Sequence, residues 1–210
     1  MLKETANRLV GVPDAALSLA GSRRRKRLRL RVCILRDERG TPVGAPGDVE
    51  PALAEARRVL ALQAIEVVAP GEPIVTTLPE NAPPAALESP CTEGWWQADL
   101  GPGGAFFRRH QARSPRGTAT GSGAPITVFV VRDVIGKSGC SLGPLADYVT
   151  VDMGALRGKT RRVLVHELGH ACGLPHSRAA ENLMLPSRMG DQLTPWQVAV
   201  LRSSRHVTYA

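Results

Sequence analysis

At 210 residues and 43% hydrophobic side chains, the chain can bury a full core without cross-links. No apolar run approaches membrane-spanning length and no internal repeat is evident. The formal net charge of +8 is carried overwhelmingly by arginine amid abundant Ala, Gly and Pro, so it reads as a solvated, compositionally biased surface. The densest run, Arg23 to Arg27, has no aromatic residue interleaved with it, and nucleic-acid binding is not expected.

In chain order, residues 1–26 form a basic arm. Within it Leu9 to Ala20 is partly apolar, is interrupted by Pro13 and Asp14, and has most positive charge after it. That is the wrong order for a secretory signal, so the expectation is a cytoplasmic protein or one exported by a specialised route. Arg29 to Arg36 reads as a strand: Leu28, Leu30, Val32 and Ile34 share one face, and Arg29, Arg31 and Cys33 the other. Val49 to Ala64 reads as a helix, with Pro51 in its first turn and Leu53, Ala56, Leu60 and Ala64 at helical spacing. Ile65 to Val68 and Ile74 to Thr77 are short strands split by Pro70 and Gly71.

Residues 78–123 are rich in Pro, Gly and Ala without a clear period and read as a long surface insertion between core strands. Its aromatic residues, Trp95, Trp96, Phe106 and Phe107, are expected to pin that segment as a satellite cluster; a flap over a cleft is the alternative. Ile126 to Val131 is a continuous apolar run, as in a strand buried on both faces, and Tyr148 to Asp152 is another strand. A helix from about Lys159 to Cys172 follows, and a last helix runs from about Pro195 to Ser203 with Thr194 as its N-cap.

The chemistry is concentrated in His166-Glu167-Leu168-Gly169-His170-Ala171-Cys172-Gly173-Leu174-Pro175-His176. Residues four apart on a helix project from nearly one face, so His166 and His170 can hold one metal between them. Glu167 lies between them and can reach a water on that metal without being a ligand. Gly173 is where the helix should stop, because glycine tolerates the left-handed conformation that ends helices. The chain can then turn back and deliver His176. Three histidines and one open position make the catalytic zinc pattern, not the closed structural one.

The histidine segment, followed by Asn182-Leu183-Met184-Leu185-Pro186-Ser187, resembles the signature of the metzincin zinc peptidases, and most closely their matrix metalloproteinase (matrixin) branch. The resemblance implies an α+β fold: a twisted mixed sheet with a zinc helix in an upper part, residues 27–173, and a small C-terminal subdomain, residues 174–210. It implies one catalytic Zn2+ held by His166, His170 and His176, Glu167 as general base, and Met184 in a turn beneath the metal. Pro186 stands where astacins and serralysins place a tyrosine ligand, so no such ligand is expected. The pattern of the matrixin structural zinc loop is absent, so one ion only is expected.

By the same resemblance a peptide or protein substrate lies extended along an edge strand. Gly139, Cys140, Ser141 and Leu142 form that upper rim, and Pro186, Ser187 and Arg188 wall the pocket after the cut. Matrixins usually carry tyrosine where Arg188 stands; the arginine is expected to narrow the pocket or to favour acidic side chains. The function implied is a zinc-dependent endopeptidase, monomeric, using a zinc-bound water. The alternatives are a narrow regulatory peptidase acting on one partner protein and a non-catalytic zinc-scaffold binding module. Cys33, Cys91, Cys140 and Cys172 permit three pairings if oxidised, and none has metal-ligand spacing with another.

Overall fold

The structure, a computed structural model, describes residues 15–71, 73–91, 99–113, 122–158, 161–186 and 190–210. Its centre is one long strand, β1 (Lys26–Arg36), whose alternating side chains feed two cores. Leu28, Leu30, Val32 and Ile34 point to one face and Cys33 and Leu35 to the other, and all six are fully buried.

Around β1 the sheet is mixed. β2 (Ile65–Val68) and β3 (Val75–Asn81) run parallel to its first and second halves, with Lys26 opposite Ile65 and Val32 opposite Val75. On the other side β5 (Ile126–Val131) lies parallel, Leu30 opposite Ile126, and β8 (Tyr148–Asp152) lies parallel to β5. The last described strand at this side is the short β7 (Gly139–Ser141), antiparallel to β8 with Gly139 opposite Val151. β9 (Val207–Tyr209) returns antiparallel to the start of β1. A separate two-stranded ribbon pairs β4 (Glu88–Pro90) with β6 (Asp133–Ile135) in parallel. All six residues of β5 are buried, as its unbroken apolar run requires.

One face of the sheet carries α1 (Pro46–Ala61) and α5 (Val163–Ala171) over a core that includes Val128, Val130, Val149, Val151 and Leu168. α1 is set earlier than the expected 49–64: Pro46 opens it, and Asp48 accepts from the Ala45 N–H at 2.8 Å. Pro51 therefore lies inside the helix, not in its first turn. Ala64 is beyond the end, at φ 56°, in the tight turn that reverses the chain into β2.

On the opposite face the described residues of 78–123 are built into the fold, and Phe106 and Phe107 form the expected pinning cluster, one larger than a surface excursion requires. β3 continues to Asn81, and α2 (Pro84–Leu87), β4 and α3 (Pro102–His110) then build a second core. Ala82, Ala86, Leu87, Phe106 and Phe107 pack there against Phe129, Val131 and Tyr148, with the Phe107 and Phe129 rings 4.8 Å apart. Trp95 and Trp96 lie outside the described residues. A disulfide joins Cys91, after β4, to Cys140 in β7; Cys33 and Cys172 are free and buried.

The basic run is not a free arm where it is described. Lys26 is the first residue of β1, is buried, and donates to the Arg202 carbonyl. Burial, with the neighbouring Arg202 charge, lowers the Lys26 pKa to about 8. Arg202, in α6 (Pro195–Arg202), is itself buried and donates to the Gln63 and Arg24 carbonyls and to the Ser18 hydroxyl. No helix of the described residues is long and apolar enough to cross a membrane.

Candidate metal centre

α5 spans Val163–Ala171, shorter than the expected 159–172, with Arg162 at its N-cap; Lys159 lies outside the described residues. Its apolar residues Val163, Leu164, Val165 and Leu168 are buried in the main core, which fixes the rotation of the helix and aims His166 and His170 together. Gly173, at φ 95°, ends it. Its N–H reaches the His170 carbonyl at 2.8 Å and the Leu174 N–H reaches the Gly169 carbonyl at 2.9 Å, the paired bonds of a Schellman ending. The reversal carries His176 back beside the helix.

The three imidazoles converge. His170 Nε2 lies 3.2 Å from His166 Nε2 and 3.1 Å from His176 Nε2. Nitrogens about 2.0–2.1 Å from a tetrahedral zinc ion stand about 3.3 Å from one another, which these two pairs match, and all three ligand nitrogens lie within 4.8 Å of one another. His166 Nδ1 sits 2.9 Å from the Leu183 carbonyl and His170 Nδ1 sits 2.7 Å from the Leu174 carbonyl. A carbonyl only accepts, so both rings carry their proton on Nδ1 and present an Nε2 lone pair inward. Lone pairs at this separation repel unless a cation lies between them, and the donor set, three neutral imidazoles, suits Zn2+.

The turn after His176 holds the Leu183 carbonyl. Met184 is fully buried, and its thioether lies against Gly169; a β-carbon at Gly169 would stand 2.6 Å from Met184 Sδ. The Ser177 N–H donates to the Met184 carbonyl at 3.0 Å, tying the segment after His176 to this turn. Asn182 and Gln197, both buried, form a reciprocal amide pair at 2.8 and 3.1 Å. Asn182 Oδ1 also accepts from the Met184 N–H at 3.0 Å. Gln197 Oε1 accepts from the Thr194 N–H at 2.9 Å, and the Thr194 hydroxyl accepts from the Gln197 N–H at 3.2 Å, the capping box of α6.

Above the triad runs a cleft of about 620 Å³, lined by Gly139, Cys140 and Ser141 on one side and by Glu167, Leu174 and Pro186 on the other. Glu167 is buried at its floor. Gly139 lies directly over it, so that a β-carbon there would meet Glu167 Cγ at 2.7 Å and Oε1 at 2.8 Å. Leu142 corrects the expected rim: it packs against the second core, behind the cleft. Ser187 and Arg188 lie outside the described residues. Cys172 is buried in the main core, where burial pushes its thiol up to about 12.

The matrixin family model (Peptidase_M10) matches residues 147–195, from β8 through the triad and its turn to the start of α6. The similarity to matrixins is thus carried by the segment that holds the triad. Among solved structures the chain is similar to metalloproteinase-II from Bacteroides fragilis, at 12% identity and a TM-score of 0.48 over 86% of this chain and 56% of that one. It thus spans little more than half the length of that protein. It is also similar to a zinc-dependent peptidase from Methanocorpusculum labreanum, at 16% identity and a TM-score of 0.45 over 80% of this chain and 99% of that one. None of the curated proteins matches the sequence.

The residues that sequence reading passed over are the supports. Leu174, Asn182 and Leu183 lie within the quoted segments but had no role assigned there, and Asn182 and Gln197 are 15 positions apart and meet only through the fold. The one available signal was the Thr194 to Gln197 spacing of a capping box, which marks a helix start but not what the glutamine holds.

Proposed function

We propose that the chain is a zinc-dependent endopeptidase in which His166, His170 and His176 hold the ion and Glu167 is the general base. The observation that carries this is the convergence of three Nε2 atoms at zinc-ligand spacing on the floor of an open cleft, with Glu167 beside them. When bound there, zinc acidifies a water and polarises the carbonyl of an approaching peptide.

The protein's own residues supply the rest. The Leu183 and Leu174 carbonyls keep the His166 and His170 protons on Nδ1, so the rings stay neutral ligands with fixed orientation. Glu167 takes the proton of the attacking water and passes it to the departing amine. Its carboxylate is confined beneath the Gly139 backbone, which sets the direction from which it acts. β7 is the last strand of the sheet among the described residues, and its outer edge can add an extended peptide by main-chain hydrogen bonds. Met184 packs under the triad and keeps the turn that bears the Leu183 carbonyl in place.

Cleavage of a diverse peptide mixture, read by mass spectrometry, tests the reading. Cuts by the zinc-loaded wild type that vanish with a chelator, return with zinc, and are absent from Glu167→Ala are expected. A zinc-loaded wild type that cuts nothing in the mixture overturns the general endopeptidase.

A further inference from the structure

Among the described residues the cleft is nearly free of side-chain charge. Apart from the histidines, its described lining residues carry two charged groups, Glu167 on the floor and Lys137 on the rim. Lys137 ends the tight turn between β6 and β7, in which its N–H donates to the Val134 carbonyl at 2.8 Å and Gly136 adopts φ 72°. The mount is rigid. β6 is paired with β4, the residue after β4 is disulfide-bonded to β7, and the Ser138 carbonyl accepts from the Asp152 N–H at 3.0 Å.

Lys137 stands two residues before Gly139, which faces Glu167, and both line the same cleft. Two residues of chain span at most about 7 Å. A lysine side chain spans a similar length, so its ammonium sweeps the region one to two substrate residues from the catalytic level. Of the cations that follow β5 and α6, Arg132 pairs with Glu38 at 2.9 Å and Glu88 at 3.5 Å, and Arg205 pairs with Asp147; neither lines the cleft. Lys137 is exposed and makes no ion pair with any described residue.

We propose that Lys137 selects substrates that carry an aspartate or glutamate within about two residues of the bond that is cut. This rests on the reading of the cleft as an endopeptidase site and adds the substrate class to it. An extended peptide on β7 turns one side chain in two towards the cleft that Lys137 lines, so the acidic residue is read at one position and not as diffuse charge. The ammonium is partly solvated, so its effect is a preference in kcat/KM of about two- to fivefold and not an absolute requirement.

Matched peptides differing only in Glu or Gln at each position around the cleaved bond test it, with wild type, Lys137→Met, Lys137→Glu and Lys137→Arg compared by their Glu/Gln ratio of kcat/KM. The expected result is a ratio above one at a single position in wild type, kept by Lys137→Arg, lost in Lys137→Met and inverted in Lys137→Glu. Raising salt from about 50 mM to about 500 mM should bring the wild-type ratio towards one, because screening shortens to a few ångströms. Cleavage with no acidic preference, or a preference unchanged in Lys137→Met, overturns the role of Lys137 and leaves the peptidase reading standing. No cleavage of any peptide by the zinc-loaded wild type overturns the peptidase reading and this inference with it.

Discussion

Gly139 covers Glu167 so closely that the glutamate occupies the space a β-carbon at 139 would need, 2.7 Å from its Cγ and 2.9 Å from its Cδ. The contact is with the far end of a flexible side chain, so Gly139→Ala has an inexpensive way to relax: Glu167 swings aside. Stability should fall little, while the carboxylate leaves its working position. A displacement of about 1 Å at a reacting group costs up to about 100-fold in rate. The expected outcome for Gly139→Ala is a kcat/KM lower by about ten- to 100-fold, with zinc content and melting temperature close to wild type, measured by peptide cleavage, metal analysis and calorimetry. A fully active Gly139→Ala would show that Glu167 is not confined by this strand.

Asn182 and Gln197 support the centre from below. Removing one amide strands its partner in a buried site and frees the Met184 N–H, at a cost of about 1–3 kcal/mol. The neighbouring Leu183 carbonyl, which holds His166 Nδ1, then loses its fixed position. Asn182→Ala is expected to weaken zinc binding by about ten- to 100-fold, as loss of an outer partner of a metal ligand does. Competition with a chromophoric chelator reads the affinity, and the visible spectrum of the cobalt-substituted protein reads the ligand geometry. A destabilised variant with unchanged affinity and spectrum would make the amide pair structural only.

What the sequence made legible follows from how local each feature is. His166 and His170 are one helical turn apart, so their spacing already is geometry, and Gly173 marks the turn that returns His176. The strands at 65–68, 126–131 and 148–152 are apolar runs between turn residues and were readable for the same reason. Residues 78–123 were not: α2 has four residues and α3 nine, too few turns to show a period, and their apolar face exists only against Phe129 and Tyr148. Leu142 was assigned to the rim from its position in the chain, whereas strand alternation and the 3-10 turn at Gly143–Leu145 send it to the second core. The mixed sheet was foreseen, but the return of β9 onto β1 was not, because three residues carry no pattern of their own.

The Cys91–Cys140 disulfide fastens the second core to the edge strand over the cleft and closes a chain separation of 49 residues. A loop of that length contributes about 4 kcal/mol by restricting the unfolded chain. Cys91→Ser with Cys140→Ser, or reduction of the wild type, is therefore expected to lower the melting temperature by about 10 °C. Because β7 carries Gly139 and precedes the 3-10 turn at the rim, peptide cleavage should also fall, with KM rising more than kcat changes. Calorimetry with and without a dithiol reductant, alongside initial rates, checks both. Cys33 and Cys172 are buried and should react with a thiol reagent only after denaturation.

His206 gives stability a pH dependence of definite sign. It is fully buried, its Nδ1 lies 2.9 Å from the Ala124 carbonyl, and its Nε2 has no hydrogen-bond partner among the described residues, with Asp147 Oδ1 at 3.9 Å. Burial, reinforced by the adjacent Arg205 charge, pushes its pKa down from 6.5 to about 4. Below pH 6.5 the unfolded chain takes up a proton that the folded one refuses. The stabilisation is therefore complete above pH 6.5 and is lost progressively as pH falls towards 4, by on the order of 3 kcal/mol. Glu55 acts lower: hydrogen bonds from Arg58 and Arg162 hold its carboxyl near 2, so its contribution fades only below about pH 4.5. His206→Asn keeps a donor for the Ala124 carbonyl and removes the titration. Urea unfolding of both proteins between pH 7 and pH 4.5 should show the gap between them narrowing as pH falls, since carboxylates and the metal-site histidines titrate alike in each. A gap that widens as pH falls would mean that Asp147 holds His206 protonated in the folded protein, and a constant gap that His206 titrates alike in both states.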